Sequence, residues 1–135
     1  MATSSSKLAP GLVYDTGALI AAEGNNRRIW ALHARALQRG VLPVIPAACV
    51  VEAWRGGKQA NLARLLDGCE IEALDADRAK RAGALRRGLS RDSRAVDATV
   101  VEATLRRRSA VVTADRTDIQ RLASTAKRRI QVIDI

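Results

Sequence analysis

Five short apolar runs, separated by stretches with helical spacing, restrict this chain to one broad class of fold. The runs are residues 12–15 (LVYD), 42–46 (LPVIP), 70–74 (EIEAL), 110–114 (AVVTA) and 130–134 (IQVID). Each is short and rich in Val, Ile or Leu, as strands covered on both faces are. Helical patterns occupy 27–39, 46–56, 58–68, 75–88, 93–108 and 115–127. Asn26, Asp75 and Ser93 are predicted N-caps, Gly40 is a stop signal, and Arg106 to Arg108 complement the dipole at a helix C-terminus. The alternation predicts an α/β fold of three α/β/α layers around a mainly parallel five-stranded sheet, with right-handed crossovers.

A length of 135 residues fits one domain over 11–135, behind an opening segment (residues 1–10, MATSSSKLAP) that reads as a flexible tail. That segment has one lysine and no apolar stretch, so it is not a signal peptide, and no run approaches membrane-spanning length. Cys49 and Cys69 form no CxxC and read as small buried hydrophobes. Together these features predict a soluble cytoplasmic protein without a membrane partner.

The charge balance is lopsided. Lys and Arg number 23 against 14 Asp and Glu, a net charge of +9. A surplus of that size points to a polyanionic partner, most often nucleic acid, with an Arg- and Ala-rich compositional bias as the plainer source. The only aromatic residues are Tyr14, Trp30 and Trp54, too few for a base-stacking platform.

In open parallel sheets, ligands bind beyond the carboxyl ends of the strands. Asp15 ends the first strand, and Thr113 and Asp115 end the fourth. Glu52 falls in the second turn after the second strand, and Asp97 in the second turn of the helix leading to the fourth. Four carboxylates far apart in sequence are therefore expected at one sheet edge. Glu52 sits in ACVVEAW and Asp97 in AVDATVV, apolar settings that are costly for a charge without a partner. Gathered carboxylates raise one another's pKa, and a hard divalent cation relieves both penalties. Oxygen-only donors favour Mg²⁺ or Mn²⁺ over zinc. Such a cation at a phosphodiester polarises the phosphoryl oxygen and activates water.

The plainer readings are structural. Asp115 reads equally as a helix cap. Asp118 reads as solvated or capping, with the option of reaching a cation from the next turn, and Glu23, Asp92 and Glu102 read as surface groups. His33, the single histidine, lies on an amphipathic helix away from the acids and reads as structural. Trp30 and Trp54 read as packing or dimer-interface residues. Arg86, Arg87, Arg91 and Arg94 belong to the densest positive stretch and read either as an RNA-backbone track toward Asp97 or as a solvated helix face.

The ordered set of Asp15 in LVYDTGALIA, Glu52 in IPAACVVEAWRG, Asp97 in SRAVDATVVEAT and the final VVTADRTDI resembles a PIN domain, and its length and spacing resemble the VapC-type ribonuclease toxins of toxin–antitoxin pairs. The resemblance covers residues 11–135. It implies a Mg²⁺-dependent endoribonuclease with Asp15, Glu52, Asp97 and Asp115 as metal ligands. It also implies support of Asp15 and the metal waters by the Thr16 and Thr113 hydroxyls, a homodimer, an RNA substrate and a cognate antitoxin. The chain departs from the family in carrying Ile119 where an aromatic is common, a packing change, and in its arginine-rich 77–94. A non-toxin PIN nuclease and a degenerate RNA-binding PIN module are the alternatives.

Two other chemistries are excluded. Asp15-Thr16-Gly17 taken alone matches an aspartic-protease signature, but that chemistry needs an all-β fold and a second Asp sharing a proton. A phosphoryl-Asp phosphatase wants an acid two residues after Asp15, where Gly17 stands, and a receiver domain wants a Lys after the last strand, which IQVIDI does not offer.

Overall fold

The computed structural model describes residues 11–90 and 94–135. The expected tail, and the expected cap Ser93 with Asp92 and Arg91, lie outside the described residues. Five strands form one sheet: β1 (Leu12–Tyr14), β2 (Val44–Pro46), β3 (Glu70–Glu72), β4 (Ala110–Thr113) and β5 (Gln131–Asp134). Their order is β3-β2-β1-β4-β5, and every pairing is parallel, with Val13 opposite Val44 on one side and Val111 on the other. All five expected runs are strands, each one or two residues shorter than the run that predicted it.

The described helices are α1 (Thr16–Glu23), α2 (Arg27–Gln38), α3 (Ala47–Ala53), α4 (Ala60–Asp67), α5 (Ala76–Ala84), α6 (Ala95–Arg107) and α7 (Arg116–Thr125). The Asn26 carboxamide accepts from Arg28 N and Ile29 N, and the Asp75 carboxylate accepts from Arg78 N, so two of the expected caps hold. Gly40 ends the turn after α2 in the left-handed region, at φ 75. Helix α6 begins later than its pattern suggested, and Asp97 therefore lies in its first turn rather than its second.

The core is built from aliphatic side chains around one aromatic, Tyr14. Val13, Tyr14, Ile45, Val111 and Val112 are buried in the strands, and Leu19, Ile29, Leu62, Leu65, Val100, Val101 and Ile119 close on them from the helices. Small Ala residues at 18, 22, 98 and 103 let α1 and α6 approach closely. Ile119 is fully buried, in keeping with a packing role. His33 is buried and its Nδ1 shares a hydrogen bond of 2.9 Å with the Tyr14 hydroxyl. Trp30 meets the His33 ring edge-on, donates from Nε1 to Ala22 O and carries the Arg64 guanidinium over its face.

One expectation fails outright. Glu102, read as a surface group, is buried and held by Arg81 and Arg106. Glu72 is equally buried and accepts from Arg106, and from Arg107 Nε at 2.6 Å, while Arg107 also bonds Glu70. The arginines at the end of α6 are thus more than dipole complements: two of them neutralise carboxylates delivered by β3 and by their own helix.

Candidate metal centre

The strand order reverses direction between β1 and β4. The crevice beyond their carboxyl ends is where such sheets bind ligands. Asp15 follows β1 there and Asp115 follows β4. The buried Asp15 carboxylate caps α1, accepting from Ala18 N at 2.9 Å. Burial raises its pKa, and bonds from the Thr113 hydroxyl and from Ala18 N oppose the rise. Thr113 Oγ1 also accepts from Asp115 N at 2.8 Å, so one hydroxyl ties the two strand ends together.

Asp97 is half-buried. Its pKa is pushed up to about 6, first by burial and then by the charges of Asp15, Asp118 and Asp115, with Arg94 pulling the other way. Asp118 lies within hydrogen-bonding reach of Asp115, and that contact, more than burial, raises its pKa. Asp115 is exposed and caps α7, accepting from Asp118 N at 3.3 Å.

Glu52 is held differently. The Thr16 hydroxyl donates to its Oε1 at 2.7 Å, and Arg94 Nη2 approaches Oε2 at 3.4 Å. Thr16 therefore serves Glu52, while Thr113 serves Asp15. The apolar setting read around Glu52 is half real: Cys49 and Ala53 are buried, but Val51 is 77% exposed. In a helix as short as α3, neighbours in sequence look in different directions.

A single buried atom records the convergence. The Cys49 thiol is pushed up to about 12 by burial and by the charges of Asp15, Glu52 and Asp97, against a bond from Thr16. A thiol held so firmly protonated is no nucleophile. Among the described residues, however, no three acidic, histidine or cysteine side chains stand close enough to enclose a cation as they lie. Carboxylates without a central charge repel one another, and these also bond to Thr16, Thr113, Arg94 and backbone amides. Their donor chemistry still fits a hard divalent cation: all are oxygens, and Asp15, Asp97 and Asp118 bind protons more readily than ordinary carboxylates.

Gly17 contributes by its missing side chain. It has no positive φ, so the strand-to-helix junction does not call on its conformational freedom. A Cβ there would stand 3.0 Å from the Ala114 Cβ and 3.3 Å from Asp15 Oδ1. The glycine lets α1 pass tightly under the loop after β4.

An open cleft of about 220 Å³ adjoins the carboxylates, lined by Leu89, Ser90, Arg94, Asp97, Asp118, Arg121 and Leu122. Of the arginines marked as an RNA track, Arg94 enters this cleft, Arg87 is exposed further along the same face, and Arg86 is half-buried. The cation missed by sequence reasoning is Arg121, whose Nη1 stands 3.5 Å from Asp118 Oδ1. Its spacing of three residues from Asp118 was the available signal. Among the described residues no helix is long and apolar enough to cross a membrane.

No protein-family profile and no curated protein matches the sequence. Solved structures do match the fold. A chain of VapBC2 from Rickettsia felis, bound to a DNA fragment from their promoter, superposes with a TM-score of 0.67 at 14% identity, covering 92% of this chain and 98% of that one. DNA-bound VapBC from Salmonella typhimurium gives a TM-score of 0.66 at 17% identity over 93% and 98% of the two chains. A toxin–antitoxin complex from Klebsiella pneumoniae gives 0.59 at 21% identity over 80% and 89%. The chain thus has the three-layer, PIN-like α/β/α fold found in VapBC-type toxin–antitoxin complexes.

Proposed function

We propose that this protein is a metal-dependent endoribonuclease and the toxin member of a VapBC-type pair, partnered by a cognate antitoxin and by a second copy of itself. The observation that carries the reading is the gathering of Asp15, Asp97, Asp115 and Asp118, with Glu52 beside them, at the switch point of a parallel sheet. Asp15, Asp97 and Asp118 hold raised proton affinities, and among the described residues Arg94 and Arg121 pair with this group. The PIN-like fold and a net charge of +9 agree with a nucleic-acid substrate.

Asp15, Glu52, Asp97 and Asp115 would hold Mg²⁺ or Mn²⁺, with Asp118 in reach. The bound cation supplies Lewis acidity toward a phosphodiester and its attacking water. The chain's own part is positioning. Thr113 fixes Asp15 and, through Asp115 N, the start of α7. Thr16 fixes Glu52. Arg94 stands between Glu52 and the open cleft, placed to meet a phosphate oxygen when the carboxylate turns toward a cation. His33 takes no part, being buried and bonded to Tyr14, and the buried Cys49 thiol is held protonated.

A second reading, an RNA-binding PIN module without catalysis, draws on Arg94 clamping Glu52 and on the open spacing of the carboxylates. One experiment separates the two. Purified protein should cleave structured RNA with Mg²⁺ or Mn²⁺ and stop with EDTA, and Asp15→Asn or Asp97→Asn should abolish cleavage with the fold intact. RNA binding without cleavage under any divalent cation selects the module. Growth arrest on expression, relieved by a neighbouring small gene product, tests the toxin assignment.

A further inference from the structure

The carboxylate cleft continues beyond the site along one helical face. From Leu122 on its wall, one turn of α7 leads to Thr125, whose hydroxyl bonds both Leu85 O and Leu122 O at 2.7 Å. Thr125, Leu85 and Arg87 line the next cleft. Leu85 is shared with a third, of about 430 Å³, where Arg81, Arg106 and Arg128 stand. Arg128 is shared in turn with a fourth, of about 240 Å³, which holds Arg108, Arg129 and Ser109 at the opposite edge of the sheet. The four clefts succeed one another as a stepped groove along this face, and helix α6 rises roughly 16 Å from Asp97 to Arg108 beside it.

The charge along this groove is graded. At the carboxylate end Arg94 and Arg121 are paired, and midway Arg81 and Arg106 are neutralised by Glu102 and Glu72. At the far end Arg108, Lys127, Arg128 and Arg129 are exposed and make no ion pair with a carboxylate among the described residues. Two of these cations occupy positions that favour glycine. Arg108 (φ 52) and Lys127 (φ 55) are left-handed residues closing α6 and α7, backed by Ser109 N to Thr104 O at 3.0 Å and Arg128 N to Ala123 O at 3.5 Å. Most left-handed residues elsewhere in the chain are glycines: Gly40, Gly56, Gly57 and Gly88. The helix dipole accounts for a cation at Arg108 and Lys127. It does not account for Arg128 and Arg129, which follow the helix and face the same cleft.

We infer that this groove is the track of a single-stranded RNA, and that Arg108, Arg128 and Arg129 grip its backbone phosphates remote from the bond that is cut. The inference rests on the ribonuclease reading for the identity of the strand. Guanidinium forks suit phosphate oxygens. The groove has no aromatic side chain, so it holds the backbone and not the bases.

The test measures binding without catalysis. Fluorescence anisotropy in EDTA would compare oligoribonucleotides of about three and about twelve nucleotides, the range of site sizes typical for single strands. Arg108→Ala/Arg128→Ala/Arg129→Ala should weaken binding of the long oligonucleotide tenfold or more. It should flatten the slope of log affinity against log salt by about 2, as loss of three phosphate contacts requires, and leave the short one unchanged. Arg35→Ala/Arg39→Ala/Lys58→Ala removes the same charge from positions that do not line the groove and should do much less. If the first triple melts early, Arg128→Glu/Arg129→Glu, with both changes outside α7, makes the same measurement. Equal losses in the two triples, or a loss confined to duplex DNA, would overturn the track. Because no cation or cleavage enters the readout, a protein that binds by length but never cuts leaves the groove standing and removes the nuclease reading. RNA cleavage together with length-independent binding does the reverse.

Discussion

Helix α6 touches two groups of acids, and they are opposites. Near its start, Asp97 joins Asp15, Asp115 and Asp118; burial and neighbouring carboxylates raise the proton affinity of Asp15, Asp97 and Asp118, and Arg94 and Arg121 only partly compensate. Toward its end, Glu102 joins Glu72 and Glu70, and Arg81, Arg106 and Arg107 neutralise them. Burial alone would raise Glu72, yet the bonds from Arg106 and Arg107 hold it below the usual carboxylate range. Buried carboxylates are therefore no mark of a functional site by themselves. The mark is charge left uncompensated: the first group keeps some, whereas in the second the chain itself supplies the counter-charge.

The contrast can be broken from either side. The largest effect belongs to the first group: Asp97→Asn should lower the rate of RNA cleavage by roughly a thousandfold, measured under single-turnover conditions. Next is Glu72→Ala, which strands two half-exposed arginines and should cost about 2 kcal/mol in urea unfolding with cleavage intact in the surviving fold. Saturating Mg²⁺ should raise the melting temperature, by an increment equivalent to about 2.7 kcal/mol at one hundred times its dissociation constant. EDTA should erase the gain, Asp97→Asn should lose it and Glu72→Gln should keep it. A smaller effect has the opposite sign to Glu72→Ala: without divalent cations, Asp97→Asn should stabilise the protein by about 1 kcal/mol, because it removes a charge that folding penalises.

Acid titration sharpens the comparison further. Glu72 has a folded pKa below its unfolded value, so its contribution is complete above the unfolded value and is lost as pH falls through the folded one. Asp97 has a folded pKa raised to about 6, so metal-free protein gains stability from it as pH falls through 6 toward the ordinary carboxylate range. Melting curves of the wild type, Glu72→Gln and Asp97→Asn across this window should show the second contribution vanish only in Asp97→Asn and the first only in Glu72→Gln.

The two groups also differ in how far they can be read from sequence. Asp15, Asp97 and Asp115 were legible because each follows from a strand end or helix start, and the parallel sheet brings such positions to one edge. The five strands were legible because Val- and Ile-rich runs of that length admit little else. Glu102 was misread although Val100, Val101, Ala103 and Leu105 flank it as apolar residues flank Glu52; the partners that hold it include Arg81 on α5, which no local pattern brings near it. Thr16 was assigned to the wrong acid because its rotamer, aimed at Glu52, is set by where α3 packs on α1. The role of Gly17 depends on Ala114, a neighbour that exists only after β4 has paired with β1. Local pattern finds residues placed by their own element and misses those placed by another.

The strand order carries a consequence in time. Val13 pairs with Val111, and Asp115 follows only when β4 is in place. Asp15 therefore meets its later partners only after most of the chain has been made, through a long-range parallel pairing of the kind that folds slowly. A ribosome-bound fragment ending before β4 carries Asp15 and Glu52 but cannot assemble the site. On the ribonuclease reading proposed above, that order of assembly would keep the chain inert beside the ribosome and messenger that are producing it until the sheet closes.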